Sequence, residues 1–244
     1  MSEVRIDGAA PGGGLPAGSA GEQLAALAAA YREDPERVPA YTGLRRRVLA
    51  ESATRTAAVL VLFGVLDSLP SRHASATVPS DLDLLLVLRA SGLRDHAGEI
   101  AFPGGGVEDG DADEIATALR EAEEETGLDP EGVRVLGVLP QAPTISRFTV
   151  TPVLGWWDRP TAVDVVDEGE SAAVFRTPVA DLVDPANRVR TEFRRNGATL
   201  SMPAFQLPQG LLWGFTAVIV SSLLDELGWA EPWDQTRVVP PPGY

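Results

Sequence analysis

The sequence contains no Cys and no Lys, and it has only two His, His73 and His96. The absence of Cys excludes disulfide frameworks, thiolate zinc sites and cysteine nucleophiles. With only two His, metal sites that need two or three imidazole ligands are nearly excluded as well. The chain has 20 Arg and 35 acidic residues, so its net charge is −15. Because binding to nucleic-acid phosphates depends on clustered cations, we expect no nucleic-acid partner.

Long hydrophobic runs are also missing. The longest nearly apolar stretch, residues 211–224, is shorter than the roughly 20 residues of a membrane-spanning helix, so it predicts a buried helix. The N-terminus lacks a cationic start followed by an apolar run, and we therefore expect no signal peptide, no membrane partner and a cytoplasmic location.

The composition is that of a globular protein. At 244 residues and 44% hydrophobic, the chain is long enough to bury a substantial core. Residues 8–21 are rich in Gly, Pro and Ala, which predicts a flexible tail over residues 1–21. We expect a single domain over 22–244, with its core at about 56–228.

Short apolar runs bounded by turn-forming residues predict β-strands. These runs lie at 56–66, 82–89, 133–139, 149–157 and 172–176, and Asn196-Gly197 indicates a hairpin between two further strand-like runs. Helices are predicted at 22–31, 112–126 and 213–227. The fold class expected from this order is α+β, a sheet core with helices packed on it.

The helix predicted over 112–126 is strongly acidic. Asp111 and Glu114 indicate an N-terminal capping box, and Gly127 indicates the C-terminal stop. At about 100° per residue, Glu121 and Glu125 share one stripe with Glu114, whereas a separate stripe is apolar and suited to packing on a sheet. The apolar stripe consists of Ile115, Ala118, Leu119 and Ala122.

The acidic stripe has two interpretations. Like charges at i,i+4, such as Glu121 and Glu125, destabilise a helix, and a bound divalent cation would reverse that effect, since carboxylates are ligands for Mg²⁺. The alternative is an ordinary solvated acidic face. Gly104-Gly105-Gly106 before the helix allows close approach of a carbonyl or a phosphate. Together with Arg120 beside Glu121, these glycines favour a metal site.

These residues resemble a known motif. Residues 120–128, REAEEETGL, match the R-E-U-x-E-E-x-G-U half of the Nudix box, where U is a bulky apolar residue. The upstream half, G-x5-E-x7-R, departs from the pattern: counting back from Arg120 puts Ala112 at the Glu position if Gly106 is the Gly. Starting from Gly105 instead requires one extra residue and leaves Asp111 near that position.

A second run resembles the coenzyme A pyrophosphatase branch of the Nudix family. That branch carries L-L-T-x-R-[SA]-x3-R-x3-G-x3-F-P-G-G before the box. This chain has every element of that run except that Val87 replaces Thr. The matching residues are Leu85, Leu86, Arg89, Ala90, Arg94, Gly98, Phe102, Pro103, Gly104 and Gly105.

The resemblance implies a Nudix fold, a mixed β-sheet sandwiched between α-helices, and water attack on a diphosphate with Mg²⁺ or Mn²⁺ as cofactor. It implies metal ligation by Glu121, Glu124 and Glu125 with the Gly104 carbonyl. Arg120 would orient these carboxylates. The base that activates water would be Glu121 or Glu170, and the sequence does not choose between them.

For the branch, the implied substrate is coenzyme A or an acyl derivative, cleaved to 3′,5′-ADP and 4′-phosphopantetheine or its acyl form. Arg89, Arg94, His96 and Gly105 are the candidates for substrate binding, although each charged member could instead form a surface ion pair or order the loop. Two other functions stay open: a Nudix pyrophosphatase for ADP-ribose or NADH, and a non-catalytic binding module.

Aromatic residues and the last helix leave two further alternatives. Trp156, Trp157 and Trp213 fit either an adenine-stacking platform or the core. The helix predicted over 213–227 is a candidate homodimer surface.

Overall fold

The computed structural model describes residues 15, 18–34, 36–39, 41, 55–65, 71–93, 96–144, 148–195 and 197–242. Most of the predicted tail over 1–21 lies outside these residues, and its flexibility stays a prediction. The helices are α1 (Ala20–Glu33), α2 (Glu114–Thr126), α3 (Val179–Val183) and α4 (Gly214–Glu226), with a 3₁₀ turn at Pro130–Gly132.

The strands follow the order expected from the apolar runs. They are β1 (Arg55–Val65), β2 (Leu82–Arg89), β3 (Ile100–Ala101), β4 (Gly104–Gly106), β5 (Val133–Val138), β6 (Ala142–Pro143), β7 (Phe148–Trp157), β8 (Ser171–Pro178), β9 (Arg188–Arg195), β10 (Ala198–Leu207), β11 (Gly210–Leu212) and β12 (Val238–Val239). All five predicted strands are confirmed. The predicted hairpin is confirmed by the pairing of Arg195 with Ala198, although Asn196 itself lies outside the described residues.

The central sheet is mixed. Its main path runs β3-β2-β1-β7-β5, with β4 paired to β1, β6 to β7 and β8 to β2. Strands β1 and β7 are parallel, whereas β1 pairs antiparallel with both β2 and β4. A second sheet has the order β11-β10-β9-β12.

Alternation along β1 separates the two faces of the central sheet, as expected for a strand buried on both sides. Ala58, Leu60 and Leu62 pack against α2 through Ala118 and Ala122. The intervening Val61 and Phe63 face a larger core that includes α1, α4 and the second sheet. The predicted α+β class and the sandwich of helices about a mixed sheet are confirmed.

Helix α2 begins two residues later than predicted. Its N-cap is Asp113, whose Oδ1 accepts the N–H of Ala116 at 2.8 Å. The predicted capping box of Asp111 and Glu114 is therefore wrong, because the Asp111 carboxylate is bound elsewhere. The predicted C-terminal stop is confirmed, since Gly127 has a left-handed conformation with φ of 68°.

Helix α4 lies inside the molecule. Every residue from Thr216 to Leu224 is buried within the chain, which confirms the predicted buried helix. The candidate homodimer surface on this helix is wrong for the same reason. In the part of the chain that the structure describes, helices are too short or too polar to span a bilayer.

Candidate active site

The glycine strand β4 lies between β1 and the acidic helix. It pairs with β1, with Gly105 opposite Ala58. At Gly104, φ is +153° and a Cβ would clash with the Ala58 carbonyl oxygen, so only glycine fits. At Gly105 a Cβ would lie 2.5 Å from the carboxylate of Glu121. The glycines therefore bring the strand backbone directly against the acidic face of α2.

Glu125 is the most buried carboxylate of this face, with only 6% of the residue exposed. Its Oε2 accepts the N–H of Gly104 at 3.0 Å, and its Oε1 lies 3.7 Å from Nη1 of Arg89. Burial outweighs both contacts and raises the pKa of Glu125 to about 7. The end of β2 and the glycine strand thus hold this carboxylate between them.

Glu121 and Glu124 share a contact with Arg120. Nη2 of Arg120 lies 3.2 Å from Oε1 of Glu121, and Nη1 donates to Oε2 of Glu124 at 2.9 Å. Burial raises the pKa of Glu121, whereas the Glu124 side chain is 59% exposed. Glu123 is exposed on another side of the helix, as the helical geometry predicts.

Arg120 is itself fixed by Asp111. Nε and Nη2 donate to the two carboxylate oxygens at 2.9 and 3.0 Å, and Nη2 also donates to the Gly106 carbonyl at 3.1 Å. Asp111 further accepts the Glu108 N–H and the Thr117 hydroxyl, each at 2.9 Å. The hydrogen bond from Arg120 is the largest cause that holds the pKa of Asp111 well below its usual range.

Asp111 therefore supplies the acidic partner that the upstream half of the motif lacks at Ala112. A bidentate Arg–carboxylate pair fixes both distance and orientation. Because Arg120 contacts Glu121 and Glu124, the pair positions two carboxylates of the acidic face.

The donor set fits a hard divalent cation. Glu121 and Glu125 are partly desolvated. The negative charge of Glu121 helps to raise the pKa of Glu125, and that of Glu124 helps to raise the pKa of Glu121, so a bound cation would relieve repulsion among these carboxylates. Oxygen donors are what Mg²⁺ and Mn²⁺ prefer. Across the described ranges, no three His, Asp or Glu side chains are arranged so that they could hold a metal ion as they stand. Arg120, Arg89 and the Gly104 N–H contact the carboxylates of this site.

A largely apolar cavity of about 310 Å³ opens beside the glycine strand. Arg89, His96 and Gly104–Gly106 line one side, and the beginning of α4 lines another. Apolar side chains from distant parts of the chain complete the wall: Tyr41, Ile100, Phe148, Val150, Met202 and Ile219.

The predicted substrate-binding residues have different outcomes. Arg89 and Gly105 lie at the carboxylates, and both line the cavity. His96 also lines the cavity, with Nδ1 2.9 Å from Oε2 of Glu99. Arg94 lies outside the described residues.

Glu170, the second candidate base, is exposed directly before β8. Its carbonyl accepts the Ala90 N–H at 2.8 Å, next to Arg89. Its charge contributes to the raised pKa of Glu125, so the structure brings it to the same side of the site as the other carboxylates.

The tryptophans mostly belong to the core. Trp156 and Trp157 are buried away from the cavity. Trp213 packs edge-on against Phe193 at 6.3 Å between ring centroids and also lines the cavity. Sequence reasoning missed Tyr41, which lines the cavity and donates its hydroxyl proton to the carbonyl of Pro140, 99 residues away, at 2.7 Å.

The chain is similar to several known proteins. The family described as NUDIX domain matches residues 69–196. An uncharacterized Nudix hydrolase NudL of Cronobacter sakazakii is 40% identical over 165 residues, which are 66% of this chain and 85% of the relative. The protein of the same description from Escherichia coli K12 is 37% identical over 66% of this chain and 86% of its own length. The NUDIX domain of Shewanella oneidensis NrtR, solved with ADP ribose, has a TM-score of 0.45 at 19% identity, covering 82% of this chain and 97% of that structure.

Proposed function

The chain belongs to the Nudix hydrolase family, whose members are pyrophosphohydrolases, and we propose that its substrate is coenzyme A or an acyl derivative. The diphosphate would be cleaved to 3′,5′-ADP and 4′-phosphopantetheine or its acyl form. Support comes first from the run between Leu85 and Gly105 that resembles the coenzyme A pyrophosphatase branch. Two of its residues, Arg89 and Gly104, contact Glu125.

The observation that carries the choice of substrate is the apolar lining of the cavity beside the carboxylates. The second ribose of ADP-ribose and the second nucleoside of NADH bear hydroxyls that would lose their hydrogen bonds to water against apolar walls. The pantetheine arm has a dimethyl-substituted carbon, methylene groups and a thiol or thioester, so it suits side chains such as Phe148, Met202 and Ile219.

Nudix hydrolases generally use divalent metal ions. We propose that Glu121, Glu124, Glu125 and the Gly104 carbonyl hold Mg²⁺ or Mn²⁺ in this chain. When bound, the cation neutralises diphosphate oxygens and lowers the pKa of an attacking water.

The chain's own residues position the reaction. Arg120, fixed by Asp111, holds Glu121 and Glu124 in place, and the Gly104 N–H orients Glu125. One P–O bond of the anhydride breaks while the water oxygen bonds to phosphorus, and a carboxylate accepts the water proton.

Glu121 and Glu170 are the two candidates for that proton acceptor. Burial raises the pKa of Glu121, which makes its carboxylate a stronger base. Glu170 approaches from the turn before β8 and is free of the Arg120 contact. Glu170→Gln tests the choice: a kcat reduced about 100-fold assigns the role to Glu170, and a nearly unchanged kcat assigns it to Glu121.

Turnover of CoA, dephospho-CoA, ADP-ribose and NADH with Mg²⁺ or Mn²⁺ tests the proposed substrate. We expect the highest kcat/KM for CoA or an acyl-CoA. A higher kcat/KM for ADP-ribose or NADH would favour the second function, and no hydrolysis of any of the four would favour the non-catalytic module.

We also propose that residues 22–244 act as one domain.

A further inference from the structure

Coenzyme A carries a phosphate monoester in addition to its diphosphate, and this group needs its own partner in the site. The guanidinium of Arg89 lies 3.7 Å from Glu125, at the carboxylates that would serve the diphosphate. A further phosphate placed there would meet the negative charge of Glu121 and Glu125. The partner for the monoester should therefore lie elsewhere in the cavity.

The beginning of α4 meets that requirement. It lines the same cavity as Gly104–Gly106. Its N-cap residue is Trp213, and no side chain caps this end of the helix. The first N–H groups of a helix have no partner within the helix, and the helix dipole makes this end favourable for an anion.

A second observation at the same place is the hydroxyl of Thr216. The residue is only 6% exposed, yet it lines the cavity. Within the described ranges its hydroxyl makes no hydrogen bond. The hydroxyl is thus available to donate, and a phosphate oxygen bound at the helix end would accept its proton.

We propose that the N-terminus of α4, through its free N–H groups and the Thr216 hydroxyl, binds a phosphate monoester that the substrate carries beside its diphosphate. This inference rests on the proposed function, and it assigns the 3′-phosphate of CoA to a part of the chain beyond the family match at 69–196. Dephospho-CoA, ADP-ribose and NADH all lack this phosphate, so the site would favour binding of CoA over binding of each of them.

Gly214, the first residue of α4, provides a matched pair of variants. Its φ is +67° and a Cβ there would meet no atom within 4 Å. Asn and Asp both tolerate this left-handed conformation, so Gly214→Asp and Gly214→Asn share the conformational change and differ by one negative charge. We expect Gly214→Asp to raise KM for CoA about tenfold or more over Gly214→Asn, with little difference between the two variants on dephospho-CoA.

Thr216 provides a second pair with a readout that needs no turnover. Calorimetry would measure binding of 3′,5′-ADP and of 5′-AMP, which differ only in the monoester. We expect wild type to prefer 3′,5′-ADP about tenfold or more. Thr216→Val should reduce that preference severalfold, whereas Thr216→Ser, which keeps the hydroxyl, should retain it.

The two proposals fail in different ways. If wild type hydrolyses CoA but the Gly214 pair behaves alike on both substrates and Thr216→Val keeps the preference, the α4 site is wrong and the proposed function stands. A second outcome is that wild type does not hydrolyse CoA but binds 3′,5′-ADP more tightly than 5′-AMP, and that Gly214→Asp loses this preference. In that case the α4 site stands and the proposed substrate is wrong. Absence of both turnover and preference overturns both.

Discussion

Arg120 donates from Nε and Nη2 to the two carboxylate oxygens of Asp111, at 2.9 and 3.0 Å. The same guanidinium contacts Glu121 and Glu124. Asp111 thus acts on the acidic face of α2 through Arg120. Positioning partners of this kind affect metal affinity or activity by about 10–100-fold.

Asp111→Asn should lower kcat/KM about tenfold and raise the metal concentration needed for half-maximal activity, because the charge that fixes Arg120 is removed while the shape is kept. Steady-state kinetics under Mg²⁺ titration would measure both. Asp109→Asn is the matched control, since Asp109 is exposed two residues away. Equal kinetics for the two variants would contradict the positioning role.

Adjacent glycines of β4 give a sharp contrast. A Cβ at Gly105 would lie 2.5 Å from the Glu121 carboxylate, whereas one at Gly106 would meet no atom within 4 Å. Gly105→Ala should therefore displace Glu121 and reduce kcat/KM on the order of 100-fold, and Gly106→Ala should leave it nearly unchanged.

Thermal unfolding would show whether the effect at Gly105 is local. The obstructing group is the end of a side chain, so Tm of Gly105→Ala should stay close to that of Gly106→Ala. A kcat/KM that falls equally in both variants would mean that the approach of Glu121 to the glycine strand is unimportant.

The sequence predicts elements whose signals are local. The apolar run of the buried strand β1, the apolar stripe of α2 and the stop at Gly127 can all be recognised in the sequence, and each is confirmed. The acidic stripe likewise follows from helical geometry. The capping box failed because Asp111 has a stronger partner in Arg120, nine residues away.

Contacts between distant segments could not be predicted in this way. Tyr41 lines the cavity and is hydrogen-bonded to the distant Pro140 carbonyl. The beginning of α4 lines the same cavity as the glycine strand, and α4 and the second sheet pack in the core on the face of the central sheet that is opposite α2. These contacts depend on tertiary packing, which cannot be predicted from the spacing of residues along the chain.

Glu125→Gln should lower kcat about 100-fold or more at saturating metal, since it replaces a charged oxygen donor by a neutral amide. Circular dichroism should show the fold retained. Glu123→Gln is the matched control, because Glu123 is exposed on the same helix away from the site. Turnover of Glu125→Gln equal to that of Glu123→Gln would overturn the metal assignment of Glu125.

Divalent cations should stabilise the folded chain. A ligand that binds only the native state at 100 times its Kd contributes about 2.7 kcal/mol, which corresponds to roughly 5–10 °C in Tm for a domain of this size. Differential scanning fluorimetry with Mn²⁺ and with EDTA would measure the shift. In Glu121→Gln the shift should shrink to a small fraction, and a shift that persists in full would place the cation elsewhere.

Asp83 should make the protein less stable as pH rises. It lies in β2, is 1% exposed, and neither carboxylate oxygen has a hydrogen-bond partner in the described part of the chain. Burial raises its pKa to about 6, above the value of about 3.9 expected in the unfolded chain. The folded state therefore binds this proton more tightly, and the associated stability is complete below pH 4 and lost as pH rises through 6.

Asp83→Asn removes this titration from a site that disfavours charge. The difference between the two pKa values corresponds to on the order of 3 kcal/mol, and the buried amide, which also lacks partners, recovers part of it. We expect Tm of Asp83→Asn to exceed that of wild type by roughly 3–6 °C at pH 8, with the difference vanishing near pH 4. Asp109→Asn should show no such pH-dependent difference. A constant difference for Asp83→Asn across this range would mean that Asp83 is ionised in the folded protein throughout, and that its burial is compensated by a nearby cation such as Arg176.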